Sequence, residues 1–204
     1  MSETPPITPP ITPQGESAVD VQLGKVPTRW WMWWPLLLGW IGMAVAYGLD
    51  RSGPHEYYNK PSLERMAIAV TSACVLAGVI RFAVTRRRFH LLMCCGACVV
   101  LLREIHWDWT TKFVYIALAV LAVLGLVWHE RVLGFLRRQP TVRVWLVATG
   151  GTYVLSQAIA RRAFRDVMPN EAEVYSDMEE MIEVLSHLML YVTLLVGSWR
   201  RRGR

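Results

Sequence analysis

Hydrophobic residues along this chain gather in blocks separated by short polar, basic or proline-containing breaks. The blocks run about Trp30–Leu49, Leu63–Val84, Phe89–Ile105, Phe113–Val132, Val142–Ala160 and Val174–Trp199. Most approach the roughly 20 residues that a helix rising 1.5 Å per residue needs to cross a ~30 Å hydrocarbon layer. No alternation of the kind a membrane barrel strand requires is present, and a span in lipid must satisfy its own backbone hydrogen bonds. The pattern predicts an all-α fold, a polytopic transmembrane helix bundle of six spans occupying 29–200.

Composition agrees, since 53% of the 204 residues are hydrophobic and ten are Trp. A mean hydropathy of +0.28 is far from that of an ordinary soluble domain. Residues 1–28 differ: "MSETPPITPPITPQGESAVDVQLGKVPT" is polar and proline-rich, with TPPI repeated in tandem. Prolines remove donors and favour extended backbone, so this segment is expected to be a disordered cytoplasmic tail. It lacks the basic start, short apolar core and cleavage site of a secretory signal, which makes the first span a retained anchor. Residues 201–204 form a second, basic tail.

Charge sets the expected orientation. Lys25, Arg29, Arg81, Arg86, Arg87, Arg88, Arg131, Arg137, Arg138, Arg143, Arg200, Arg201, Arg202 and Arg204 fall on one side of the six-span arrangement. The positive-inside rule assigns that side to the cytoplasm, with both termini. Most acids, beginning with Asp50, fall on the other side or in the helix halves nearest it. The +6 net charge is then a topology signal facing the anionic headgroups of a lipid bilayer. No nucleic-acid motif accompanies it, so nucleic acid is not an expected partner. "RWWMWWP" reads as an interfacial aromatic belt.

Two clusters break the apolar pattern, and this topology puts both at the outer face. "LLREIHWDWTTK" ends the third span with Arg103, Glu104, His106 and Asp108 among Ile105, Trp107 and Trp109. "EAEVYSDMEEMIEVLSHLMLY" opens the sixth, where Ser176, Glu180, Glu183, His187 and Tyr191 share one helical stripe. Ionisable groups at such depth turn toward the bundle interior or a wet cavity. The expected constellation is Arg103, Glu104, Asp108, Glu180 and Glu183, with Arg161 at the end of the fifth span, forming a binding or charge network. One interhelical expectation joins Arg103 to Glu180 or Glu183 and Arg161 to another acid, locking helix register.

His106, His187 and Glu183 form the core of a metal reading, since imidazole and carboxylate donors suit zinc, iron or manganese. The donor pattern lacks H-E-x-x-H and any paired H-x-x-x-H. A carboxylate pair beside a histidine also suits a small proton-coupled transporter, although no internal repeat appears. Cys74, Cys94, Cys95 and Cys98 lie in apolar surroundings and are expected to be packing thiols. Gly39, Gly42, Gly150 and Gly151 are expected at close helix approaches. The loop "DRSGPHEYYNKPS", with His55, is a candidate lid.

"LLREIHWDW" followed by "EEMIEVLSHLML" resembles two short patches of uncharacterised bacterial multipass membrane proteins with an L-R-E-x-x-W type motif and a late E-E-x-x-E helix. The resemblance implies a bacterial inner-membrane setting. The sequence therefore predicts an integral inner-membrane protein with a polar, outward-facing intramembrane pocket and a binding, assembly or regulatory role. Its partner is expected to be a second copy or another membrane protein. The alternative is an intramembrane metal-dependent hydrolase acting on a lipid or small substrate.

Overall fold

A computed structural model describes residues 29–52, 60–105, 110–168 and 171–199. The proline-rich tail, the loop carrying His55, the stretch 106–109 with His106 and Asp108, and the basic C-terminal tail lie outside them. Every element among the described residues is helical. A 3-10 segment, Trp30–Leu36, leads into α1 (Leu37–Ser52), followed by α2 (Lys60–Thr85), α3 (Arg88–Glu104) and α4 (Thr110–Val127). Then come α5 (His129–Arg138), α6 (Pro140–Ala160) and α7 (Glu171–Leu195).

The six apolar blocks all appear as helix, and two differ from expectation in form. Pro35 lies inside the 3-10 segment, where a missing donor and the bulk of neighbouring tryptophans favour the tighter turn before α1 begins. The fourth block, expected as one span to Val132, breaks at Trp128. There α4 turns by 76° into α5. The cause is visible in "HERVLGFLRR", a short helix whose charges occupy one face while Phe135 is buried on the other. Such a segment settles at an interface more readily than in hydrocarbon. Pro140 at the first position of α6 then restarts the chain at no cost in hydrogen bonds.

Two stretches, Met32–Leu49 and Lys60–Thr85, are long and apolar enough to cross a membrane, and the bent α4–α5 pair makes a third if counted as one span. Helix α3, at 17 residues, is shorter, and α6 and α7 carry more polar side chains.

Helix α7 is the centre of the fold, packing on α1, α2, α3 and α6. Its core partners divide by depth. Met178 and Ile182 meet Ala46 of α1 with Leu155 and Ile159 of α6. Leu190 and Leu194 meet Cys74, Ala77 and Ala97 from α2 and α3. Glycine permits the closest approaches: a Cβ at Gly42 would lie 2.4 Å from Leu185 Cδ2, and one at Gly78 would lie 3.0 Å from the Cα of Cys94. Gly39 likewise faces Thr152, whereas Gly150 and Gly151 face open space, contrary to the expectation for that pair. Small size alone does not identify a contact; the side of the helix does.

Several polar side chains join the apolar core, and many large apolar ones lie on the surface. Thr71, Arg81, Thr149, Thr152, Ser156, Ser186, His187 and Thr193 are buried, while Leu76, Tyr115, Ile116, Leu126, Val127 and Val154 are exposed. The buried hydroxyls of Thr71, Thr149, Thr152, Ser186 and Thr193 donate to the carbonyl one turn back, which satisfies them without a partner helix. Thr149 and Thr193 also meet across α6 and α7 at 3.0 Å.

Candidate functional site

Two helices, α3 and α7, bring their unusual side chains to one end of the bundle. Glu104 closes α3, and Glu183 and His187 stand one turn apart on the buried face of α7. All three are buried, and one donor atom from each lies within 4.8 Å of the others. Nε2 of His187 is 3.6 Å from Oε1 of Glu104 and has no hydrogen-bond partner among the described residues. Arg103, beside Glu104 in sequence, forms an ion pair with Glu183.

The other edge of the imidazole meets a residue that the sequence reading did not single out. Tyr153 of α6 lies with its hydroxyl 2.7 Å from Nδ1 of His187. Cys74 of α2 directs its thiol toward the carbonyl of His187 at 3.5 Å. A legible signal existed for Tyr153, because Thr149, Thr152, Tyr153 and Ser156 place polar groups at intervals of three and four along an otherwise apolar helix. Nothing in sequence distinguished Cys74 from the other thiols. All four cysteines are free, and Cys74 and Cys94 are packed in the interior, as expected of packing residues.

The predicted residues thus separate. Glu104, Glu183, His187 and Arg103 converge. Glu180 lies on the same stripe but one turn nearer the helix start, where it pairs with Lys60 at the beginning of α2 at 3.1 Å. Of the two acids proposed for Arg103, geometry selects Glu183 because Lys60 already holds Glu180. Arg161 does not join the network: it is exposed beyond the end of α6. The chain turns away there, with Arg162 at φ 57, and Arg162 instead lies over the ring of Tyr175 at 4.9 Å. His106 and Asp108 lie outside the described residues, so the expected metal set is represented by His187 and Glu183, joined by Glu104.

Chemically, the arrangement offers one imidazole nitrogen and two carboxylates. If Nδ1 donates its proton to the Tyr153 oxygen, Nε2 presents a lone pair toward both acids, which is the usual way a ligating histidine is oriented by its outer partner. A tetrahedral ion with bonds of ~2.1 Å would hold its donors roughly 3.4 Å apart, so closure from within 4.8 Å needs shifts of up to about 1.4 Å between donor atoms. The set suits zinc, iron or manganese equally. Without an ion, the imidazole of His187 faces two acids, and Arg103 supplies a permanent positive charge paired with Glu183. No known protein family, curated protein or solved structure matches the chain, so its residues and their geometry carry the functional reading.

Proposed function

We propose that this is a six-span inner-membrane protein, with both termini cytoplasmic, that binds a divalent transition-metal ion through Glu104, Glu183 and His187. Its role is binding, assembly or regulation within the membrane. The observation that carries the metal reading is the fully buried Nε2 of His187, without a hydrogen bond among the described residues and within 4.8 Å of two carboxylates. Burying three ionisable groups is costly unless each gains a charged partner, and a dication offsets both carboxylates at once.

Support for six spans comes from what surrounds the polar residues. The groups that reduce the apolar character of α3, α6 and α7 are chiefly those turned inward, including Glu104, Thr149, Thr152, Ser156, Glu183, Ser186 and His187. The outward positions of α6 and α7 remain apolar, with Val147, Val154, Leu188 and Leu195 exposed. That is the pattern of helices that pack through polar faces in lipid. The ends of the bundle also differ in charge as the topology requires. Lys60–Glu180 and Arg103–Glu183 mark one end, and Arg81, Arg86, Arg87, Arg88 and Arg143 mark the other.

Metal-dependent hydrolysis is the second reading, favoured by Arg103. Three protein donors leave a coordination position for water, and a guanidinium beside them suits an anion that develops on a lipid or small substrate. The test common to both readings is elemental analysis of protein purified in mild detergent without strong chelator. About one equivalent of zinc, iron or manganese is expected in wild type, and its loss in folded Glu183→Gln and His187→Gln variants. A well-folded wild type that takes up no ion after reloading would end the metal reading and leave the cluster as an interhelical lock.

A further inference from the structure

At the end of the bundle remote from Glu104, Glu183 and His187, a buried cation has no counter-charge among the described residues. Arg81 of α2 is 1% exposed, yet no carboxylate pairs with it among the described residues. Its Nη1 donates to the carbonyl of Leu194 and, at 3.4 Å, to that of Thr193. Arg81 therefore caps the C-terminal end of α7, where unpaired carbonyls amount to about half a negative charge. That offsets only part of a guanidinium. Nε and Nη2 are buried without hydrogen-bond partners among the described residues, and the ring of Trp199 covers the group at 5.2 Å.

The surroundings add positive charge. Arg87 acts electrostatically on both Arg81 and His90. His90 is also 1% exposed, and its Nδ1 lies 2.5 Å from the Thr85 hydroxyl. That hydroxyl spends its one proton on the carbonyl of Arg81 at 2.8 Å, so Nδ1 must be the donor. In a neutral ring Nε2 of His90 is then an acceptor, buried and without a hydrogen-bond partner among the described residues, so it offers an anion no donor. Gly197 completes the enclosure. At φ +91, it passes so close that a Cβ would lie 3.0 Å from Nη2 of Arg81 and 2.5 Å from Val142.

We infer that Arg81 binds a phosphate group at the basic end of the bundle. The Nε and Nη2 edge of a guanidinium is a planar fork that matches two oxygens of one phosphate, and in Arg81 that edge makes no hydrogen bond among the described residues. The phosphodiester of an anionic lipid headgroup is one source and free phosphate is the other. The inference is independent of the metal centre and depends on the multispan reading only for which source applies.

Native mass spectrometry on the delipidated full-length chain, titrated separately with phosphatidylglycerol, phosphatidylcholine and inorganic phosphate, tests it. The variants are Arg81→Gln, Arg81→Lys, which keeps a cap for α7 but not the fork, and His90→Gln, with thermal unfolding as the control for folding. Wild type is expected to bind phosphatidylglycerol or inorganic phosphate, with affinity falling roughly tenfold or more in the folded Arg81 variants and less in His90→Gln. Retention of phosphatidylglycerol uncompeted by inorganic phosphate assigns the site to lipid; binding of inorganic phosphate alone, with the same losses, assigns it to the free anion. Equal binding in wild type and folded Arg81→Lys overturns the inference, as does no binding of either ligand. If Arg81→Gln does not fold, Arg81→Lys decides. Failure of the multispan reading has a separate signature: the chain would not float with phosphatidylcholine–phosphatidylglycerol vesicles, whatever its affinity for phosphate.

Discussion

The Arg103–Glu183 pair is asymmetric, and the asymmetry determines what each substitution should do. The Arg103 side chain is 40% exposed and that of Glu183 only 6%. Removing the acid frees a guanidinium that can still reach water, so Glu183→Gln should cost about 1 kcal/mol or less in stability. Removing the base strands a buried carboxylate beside Glu104, so Arg103→Gln should cost roughly 3 kcal/mol. Thermal unfolding in one detergent compares the two, and a costlier Glu183→Gln would show that the pair is not desolvated in this sense. A bound divalent ion should narrow the difference by compensating Glu183 after Arg103 is lost. Sequence made Glu183, His187 and Arg103 legible as charges too deep for lipid. It did not decide between Glu180 and Glu183, since both lie on one stripe and the choice depended on Lys60 at the start of a different helix.

Helices meet here through glycine only where the partner is backbone or a tightly packed side chain. Gly78→Ala would set a methyl 3.0 Å from the Cα of Cys94, forcing α2 and α3 apart. A destabilisation of about 1–3 kcal/mol is expected from such overpacking. Gly150→Ala meets nothing within 4 Å and removes a helix-weakening residue, so it should be neutral or stabilising by up to about 1 kcal/mol. The pair of variants measured by thermal unfolding separates packing from propensity; equal effects would contradict the close approach at Gly78. Helix existence was legible because each apolar block is bounded by charge or proline. The bend at Trp128 was not, because His129, Glu130 and Arg131 could equally snorkel from the end of one continuous helix, and the amphipathic face of α5 acquires meaning only once Phe135 packs on Phe89 and Val142.

For the whole molecule, the exposed apolar surface and the separation of charge should be read together. Single-cysteine variants in a background without Cys74, Cys94, Cys95 and Cys98 test both. Leu126→Cys, 72% exposed in the fold, should resist a water-soluble maleimide in inside-out vesicles, whereas Arg137→Cys and Arg138→Cys, on the cytoplasmic face, should react. Labelling of Leu126→Cys as fast as Arg137→Cys would place that face in water and undo the membrane arrangement. Reporter fusions add direction: those after Arg138 and at the C terminus should be cytoplasmic, and one near Asp108 should not be.

The sequence by itself determined that the chain is helical, where its apolar blocks lie, and which side chains are too polar for them, because periodicity, length and charge are local properties. Only the tertiary structure decided that Glu104 meets Glu183 and His187, that Tyr153 orients the imidazole, and that Arg161 stands apart. Those outcomes depend on helix rotation and on which residue one turn away has already been claimed by another element. Arg81 shows the same division most clearly. Its charge is plain in the sequence, but its isolation arises from burial against the end of α7, far away along the chain.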